Sequence, residues 1–167
     1  SDPTRLLEPF TGPLLLEALT VCYALYYFHP IVLGALLFRD DRVEGTPGRR
    51  FPAFAFTILL TFYVSYAGYF LVPAIGPRFT VSHAGPLPRA AVARAIDGTL
   101  DRLETSRRNC FPSGHTMVTV AVLAEAARRS RKTFLAFLPF AAGLVAATVF
   151  GRYHYVVDVL AGLVLTF

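Results

Sequence analysis

The stretch TFLAFLPFAAGLVAATVFGRYHYVVDVLAGLVLTF, residues 133–167, decides the fold. It contains only two formally charged residues, Arg152 and Asp158, and a single histidine, His154. As one α-helix at ~1.5 Å per residue it would exceed ~50 Å, whereas a hydrocarbon core is ~30 Å thick and takes about 20 residues to cross. The run therefore predicts two spans, Thr133 to Phe150 and another starting near His154, with the turn at Gly151, a residue type that readily ends a helix. His154 is expected in the first turn of the last span. Ionisable residues at such a place are costly and mark functional sites.

Outward from this stretch the rest of the chain has the same character. It is 54% hydrophobic and 16% charged, against ~25% charged in soluble domains. The composition is that of a polytopic membrane protein. The net charge of +5 comes from fifteen Arg and one Lys against eleven acids. These basic residues lie between apolar runs, and no nucleic-acid-recognition motif accompanies them, so topology and anionic head groups account for them and nucleic acid does not. Cys22, in an apolar span, and Cys110, in a loop, make no disulfide framework, and Cys110 is expected only to pack. No signal-peptide pattern is evident at the start.

Three further spans precede the two at the end. The first runs from Pro13 to Phe38 and is interrupted by Glu17 and by His29-Pro30, where a kink is expected. The second, Phe51 to Ile75, stops at Pro73-Ala74-Ile75-Gly76-Pro77-Arg78. The third opens at Pro112-Ser113-Gly114-His115 and runs to about Ala127. Between the second and third, Val92, Ile96, Leu100 and Leu103 fall on one helical stripe, which predicts an amphipathic helix on the membrane surface or a plain surface helix. The predicted fold is all-α: a polytopic transmembrane helical bundle with a surface amphipathic helix, one membrane-embedded domain over residues 1–167. The chain starts without Met and stops inside an apolar run, so one upstream span and the end of the last are expected to lie outside it. The basic run Arg128 to Lys132 is expected on the cytoplasmic side, which puts loop 79–112 and the turn at Gly151 on the opposite face.

Three polar clusters thereby meet at one depth: Arg78; Pro112 to His115; and Arg152, His154 and Asp158. At a spacing of four on a helix, Asp158 can accept the His154 Nδ1–H and leave Nε2 as a free lone pair, the arrangement of a nucleophile toward phosphorus. A structural His–Asp pair is the plain alternative, and a metal site lacks a third ligand. Ser113 and Gly114 at a helix start can cradle an anion, with His115 placed to protonate a leaving oxygen; a simple helix cap is the alternative. Arg78 and Arg152 suit phosphate oxygens, with Arg107 and Arg108 as weaker candidates. Glu17 is either a polar partner in the site or a packing residue.

With Pro112-Ser113-Gly114-His115 followed by His154-x-x-x-Asp158 between apolar spans, the chain resembles the type 2 phosphatidic acid phosphatase superfamily, whose signatures are K-x6-R-P, P-S-G-H and S-R-x5-H-x3-D. Three departures stand out. Phe79 follows Arg78 where the family has Pro, Leu71 stands in the lysine position, and Ala147-Thr148 stand in the Ser-Arg positions. The His154-Tyr155-x-x-Asp158 form is similar to the branch of inositol phosphorylceramide and sphingomyelin synthases. The resemblance implies a membrane lipid phosphatase that hydrolyses a lipid phosphate monoester or diphosphate through a phosphohistidine. The alternative it implies is a head-group phosphotransferase on the same site. His154, His115 and Asp158 would be catalytic; Arg78, Ser113, Gly114 and Arg152 would bind substrate. No metal or other cofactor is expected, since no acidic cluster is present to hold Mg²⁺. The expected location is the plasma membrane, with the site on its extracytoplasmic face.

Overall fold

The computed structural model describes residues 3–43, 49–103 and 106–166, without the side chains of Leu100, Asp101 and Leu103. The middle of the connection between the first two predicted spans, the side chains at two stripe positions of the amphipathic helix and the terminal Phe167 thus lie outside what is described. Among those described, every element is helical. The helices are α1 (Pro3–Leu6), α2 (Pro13–Ala24), α3 (His29–Val43), α4 (Arg50–Leu71), α5 (Pro77–Thr80), α6 (Ala91–Leu103), α7 (Gly114–Arg129), α8 (Arg131–Phe150) and α9 (Val156–Leu165), with single 3₁₀ turns at Glu8–Phe10 and Leu25–Tyr27.

α7 sits at the centre. It packs on α8, α4, α9 and α3, while α2 packs on α8. Two apolar helix surfaces gain nothing from leaving lipid, so association depends on close packing. α7 supplies it with small and β-branched residues on its buried faces: Val118, Ala121, Val122 and Ala126 meet Leu33 and Leu37 of α3, Phe54 and Ile58 of α4, and Leu144 of α8. The outer surface is also apolar: Phe56, Leu59, Tyr63, Phe70 and Leu71 of α4 and Leu14 of α2 are all more than half exposed. A contiguous surface of this kind needs lipid against it rather than water.

α4 and α8 are each long and apolar enough to cross a bilayer; α2 and α3, bent by 48° at their break, make a third crossing if taken as one span. The sequence predicts five. α7 is 16 residues long, or about 24 Å at 1.5 Å per residue, shorter than a full crossing, and α9 is an apolar helix of 10 residues up to Leu165, in the span expected to continue beyond Phe167. The predicted break in the first span is present, but the helix gives way at Leu25–Phe28, just before His29-Pro30, and His29 opens α3 against Phe137 and Phe140.

The turn between α8 and α9 differs from expectation in a way that matters. Gly151 caps α8 with an ordinary helical φ of −75°, and the left-handed residue is Arg152, at φ 62°. Gly151 is needed for space: a Cβ there would meet the Tyr153 ring at 2.6 Å and Ala147 O at 2.7 Å. α9 begins only at Val156, with Tyr155 as its N-cap. His154 therefore precedes the helix instead of lying in its first turn, and the helical spacing expected between His154 and Asp158 does not apply.

A helix, α6, forms over the predicted stripe, but Val92 of that stripe is exposed and the face against α2 and the Tyr153 turn carries Ala93, Ile96 and Asp97. Glu17 of α2 caps it from 75 and 76 residues away, accepting the Val92 and Ala93 N–H groups at 3.2 and 2.6 Å. This resolves the open role of Glu17. Two N–H groups at a helix start have no intrahelical partner, and a carboxylate from another helix satisfies both.

Candidate active site

One residue from each of the three sequence clusters, Arg78, His115 and His154, lines a cavity of about 510 Å³. α2 contributes Tyr23, α4 Tyr69, α5 Arg78 and Phe79, α7 His115, and the α8–α9 turn Tyr153 and His154; the chain leading into α7 adds Arg107 and Cys110.

His154 is 4% exposed. Its Nδ1 lies 2.8 Å from the carbonyl oxygen of Cys110. A carbonyl only accepts, so the ring proton is on Nδ1 and the lone pair is on Nε2. The predicted tautomer is present, but its partner is not the predicted one. Asp158 Oδ2 is 3.8 Å from Nδ1, too far for a hydrogen bond though close enough for charge to act. That oxygen instead accepts the Tyr155 N–H at 2.7 Å and the Cys110 S–H at 2.9 Å. Asp158 thus anchors the start of α9 and holds Cys110, whose carbonyl orients the histidine. The peptide N–H groups of Tyr153 and His154 both donate to Thr148 O at 2.9 Å. Thr148 stands where the family signature has arginine, and here it holds the turn.

Cys110 is the residue that sequence reasoning missed. It is 3% exposed, and burial together with the hydrogen bond to Asp158 pushes its thiol well above the ordinary range, so it stays a thiol and a donor. A lone cysteine in a loop carries no local signal of such a contact.

His115 is held by rings. Tyr23 stacks on it at 4.6 Å between centroids and Tyr26 lies at 4.4 Å. Its own centroid is 5.7 Å from that of His154. Two imidazoles at that separation, both lining one cavity, can act on the two sides of a single phosphorus centre.

Ser113 and Gly114 do not line the cavity. Ser113, fully buried, is the N-cap of α7; its Oγ accepts from Thr116 N at 3.3 Å and from Thr116 Oγ1 at 3.0 Å. The Gly114 N–H is taken by the Tyr69 hydroxyl, and a Cβ on Gly114 would meet that oxygen at 2.5 Å. The glycine makes room for α4 rather than for a ligand. The helix-cap alternative describes these two residues, and their effect on the site is to fix where His115 emerges.

The cations also divide differently from expectation. Arg78 lies over Phe79 at 4.7 Å and Tyr153 at 5.4 Å, and Arg107 lies over the same Phe79 ring at 4.9 Å. Phe79, the departure from the family proline, thus gathers two guanidinium groups on the cavity. Arg152 is not among the lining residues. Its guanidinium donates to Gly85 O at 2.9 Å and to Glu8 at 3.4 Å, and burial lowers its affinity for its proton. Its carbonyl accepts the Arg78 N–H at 3.0 Å, so it reaches the site through the backbone of Arg78. The left-handed conformation costs a side-chain-bearing residue about 1–2 kcal/mol, and these contacts hold it there.

The family model described as PAP2 superfamily matches residues 6–167. The chain belongs to that superfamily of membrane lipid phosphatases and phosphotransferases, and it is a phosphatase-type enzyme acting at a bilayer on a lipid substrate. No curated protein and no solved structure matches it.

Proposed function

We propose that this chain is a lipid phosphatase that works through a phosphohistidine on His154. The observation that carries the proposal is the pair of imidazoles, 5.7 Å apart, on one arginine-lined cavity. The Nε2 lone pair of His154 forms the N–P bond as the P–O bond to the lipid breaks. His115 gives its proton to the departing oxygen. Water then attacks the phosphorus, His115 takes its proton back, and the N–P bond breaks to release phosphate. Through both steps the Cys110 carbonyl holds Nδ1–H and Asp158 stabilises the imidazolium by charge. Arg78 and Arg107 face the phosphoryl oxygens where negative charge builds. Ser113, Gly114 and Arg152 support the site from behind, by setting α7 and Arg78. The reaction calls on no metal.

A second pocket of about 460 Å³, lined by Tyr66, Tyr69, Phe70, Pro73, Ser106, Arg108 and Asn109, shares Tyr69, Ser106 and Asn109 with the first. Its walls from the end of α4 are aromatic and apolar, and it suits the lipid portion of the substrate. It also supports the second reading, a phosphotransferase in which a second lipid or polyol takes the place of water there.

The cavity lies at the start of α7, lined there by His115, and Arg128 to Lys132 stand at the other end of that helix. With that basic cluster cytoplasmic, the site faces away from the cytoplasm, as in a plasma-membrane enzyme. Inorganic phosphate release across a panel of lipid phosphates, with and without added alcohols, tests both readings. Release without alcohol supports the phosphatase; alcohol-dependent product without phosphate supports the transferase; neither product from any lipid phosphate overturns both.

A further inference from the structure

Cys110, His154 and Asp158 bring a thiol, an imidazole and a carboxylate together from positions 44 and 48 residues apart in the chain. All three are at least nine-tenths buried. Sγ lies 3.7 Å from Nδ1 and 2.9 Å from Oδ2, and Nδ1 lies 3.8 Å from Oδ2. An ion bound tetrahedrally at about 2.0–2.3 Å from each donor would hold them about 3.3–3.6 Å apart. Each observed separation is within about 0.5 Å of that range, and closing the set takes one further change, the turn of the ring that frees Nδ1 from the Cys110 carbonyl 2.8 Å away. We infer that these three side chains form an inhibitory site for a thiophilic divalent cation such as Zn²⁺ or Cd²⁺.

The donor set selects the ion. Thiolate and imidazole favour zinc and cadmium over magnesium and calcium, which prefer oxygen. One thiolate and one carboxylate neutralise the double charge, so the loaded site carries no net charge into a buried place. Cys110 and His154 also line the cavity, which provides an entry path and room for a water as fourth ligand.

Inhibition follows from proton bookkeeping on one ring, and in this it rests on the proposed role of His154. Binding releases the thiol proton to solvent. The metal takes the Nδ1 lone pair, so the one proton of the neutral imidazole moves to Nε2. The nitrogen that should attack phosphorus then bears hydrogen and has no lone pair. The cation need not touch the substrate; inverting the tautomer is enough. The same metal would also take the Asp158 oxygen from Tyr155 N–H and Cys110.

The test uses Cd²⁺ with the purified protein in detergent, read by the ultraviolet thiolate-to-cadmium band, beside phosphate release under the same Cd²⁺ or Zn²⁺. Cys22, which packs on Gly143 of α8, supplies the control. In Cys22→Ser the band is expected to titrate to one ion per chain, Zn²⁺ to displace it, and turnover to fall at least about tenfold and return with EDTA. In Cys110→Ser, which keeps a donor for Asp158, the band is expected to vanish and the fractional inhibition to vanish with it. Asp158→Asn should weaken cadmium binding about tenfold or more. No band in Cys22→Ser, or undiminished inhibition in Cys110→Ser, overturns the inference. If Cys110→Ser does not fold, the band in Cys22→Ser still decides it, since Cys110 is then the sole thiol. A stoichiometric band in a protein that hydrolyses no lipid phosphate leaves the metal site standing and removes the proposed function instead.

Discussion

His154 and His115 share one cavity and are held by opposite kinds of force. His154 is fixed by directional bonds: its Nδ1–H to the Cys110 carbonyl and its peptide N–H to Thr148 O. His115 is fixed by ring faces, with Tyr23 on one contact and Tyr26 on another. A nucleophile must present a lone pair on one chosen nitrogen, and only a hydrogen bond selects a tautomer. A group that delivers a proton and takes it back must change tautomer or charge within each turnover. Stacked rings constrain its position without fixing its protons. The two environments are thus matched to the two proposed roles.

The largest expected effect removes the directional half. His154→Ala is expected to abolish both turnover and any acid-labile, base-stable phosphoryl label on the chain; full activity in this variant would sink the nucleophile. His115→Ala is expected to cost about 10²–10⁴ in rate on a lipid phosphate. That loss should shrink on an aryl phosphate whose leaving group needs no proton, while His154→Ala stays inactive on both. An equal loss on both substrates would show that His115 does something other than proton transfer. Tyr23→Ala tests the stacked half alone: it should lower turnover while leaving the label on His154.

How much of this was legible in the sequence follows the same division. The helical character, the helix start at Ser113 and the meeting of His115 with His154 could be read, because helix starts and apolar runs are local patterns, whereas the number of crossings could not. The tautomer of His154 was legible as a requirement. Its partner was not, because a spacing of four sets two side chains together only within a helix, and α9 starts at Val156, two residues after His154. The Cys110 carbonyl, the Glu17 cap on α6 and the gathering of Arg78 and Arg107 on Phe79 all join residues far apart in the chain, and periodicity is blind to such contacts. α7 occupies nearly the predicted residues, Gly114–Arg129, and what the apolar pattern does not tell is that 16 residues fall short of a full crossing.

The arginines allow a finer test of position against charge. Arg78→Ala is expected to cost about 10²-fold in turnover, as for loss of one donor to a developing oxyanion. Arg107→Ala should cost less, about tenfold, because it lies in the connecting chain rather than on a helix. Arg152→Ala should cost less than either, since its guanidinium is engaged by Gly85 and Glu8 and not by the cavity. If Arg152→Ala proves the worst of the three, the turn supplies the charge that Thr148 lacks at the family's arginine position, and the assignment of Arg107 falls.

The smallest effect belongs to the contact that holds Arg152 in place. The Glu8 carboxylate is kept below its ordinary range, first by the hydrogen bond to His83 at 2.7 Å, then by the Ala84 N–H and the charge of Arg152. A carboxyl whose folded pKa is depressed binds its proton more readily when unfolded. Its contribution to stability is therefore fully present above the ordinary glutamate range and is lost as pH falls through the lower folded value. Thermal unfolding of the wild type and Glu8→Gln should consequently differ most near neutral pH and converge in acid, with turnover near neutrality little changed because no cavity-lining side chain is removed. A gap that stays constant with pH, or widens toward acid, would mean that Glu8 acts by shape alone and that the turn carrying Arg152 is held by its backbone bonds to Val149 and Arg78.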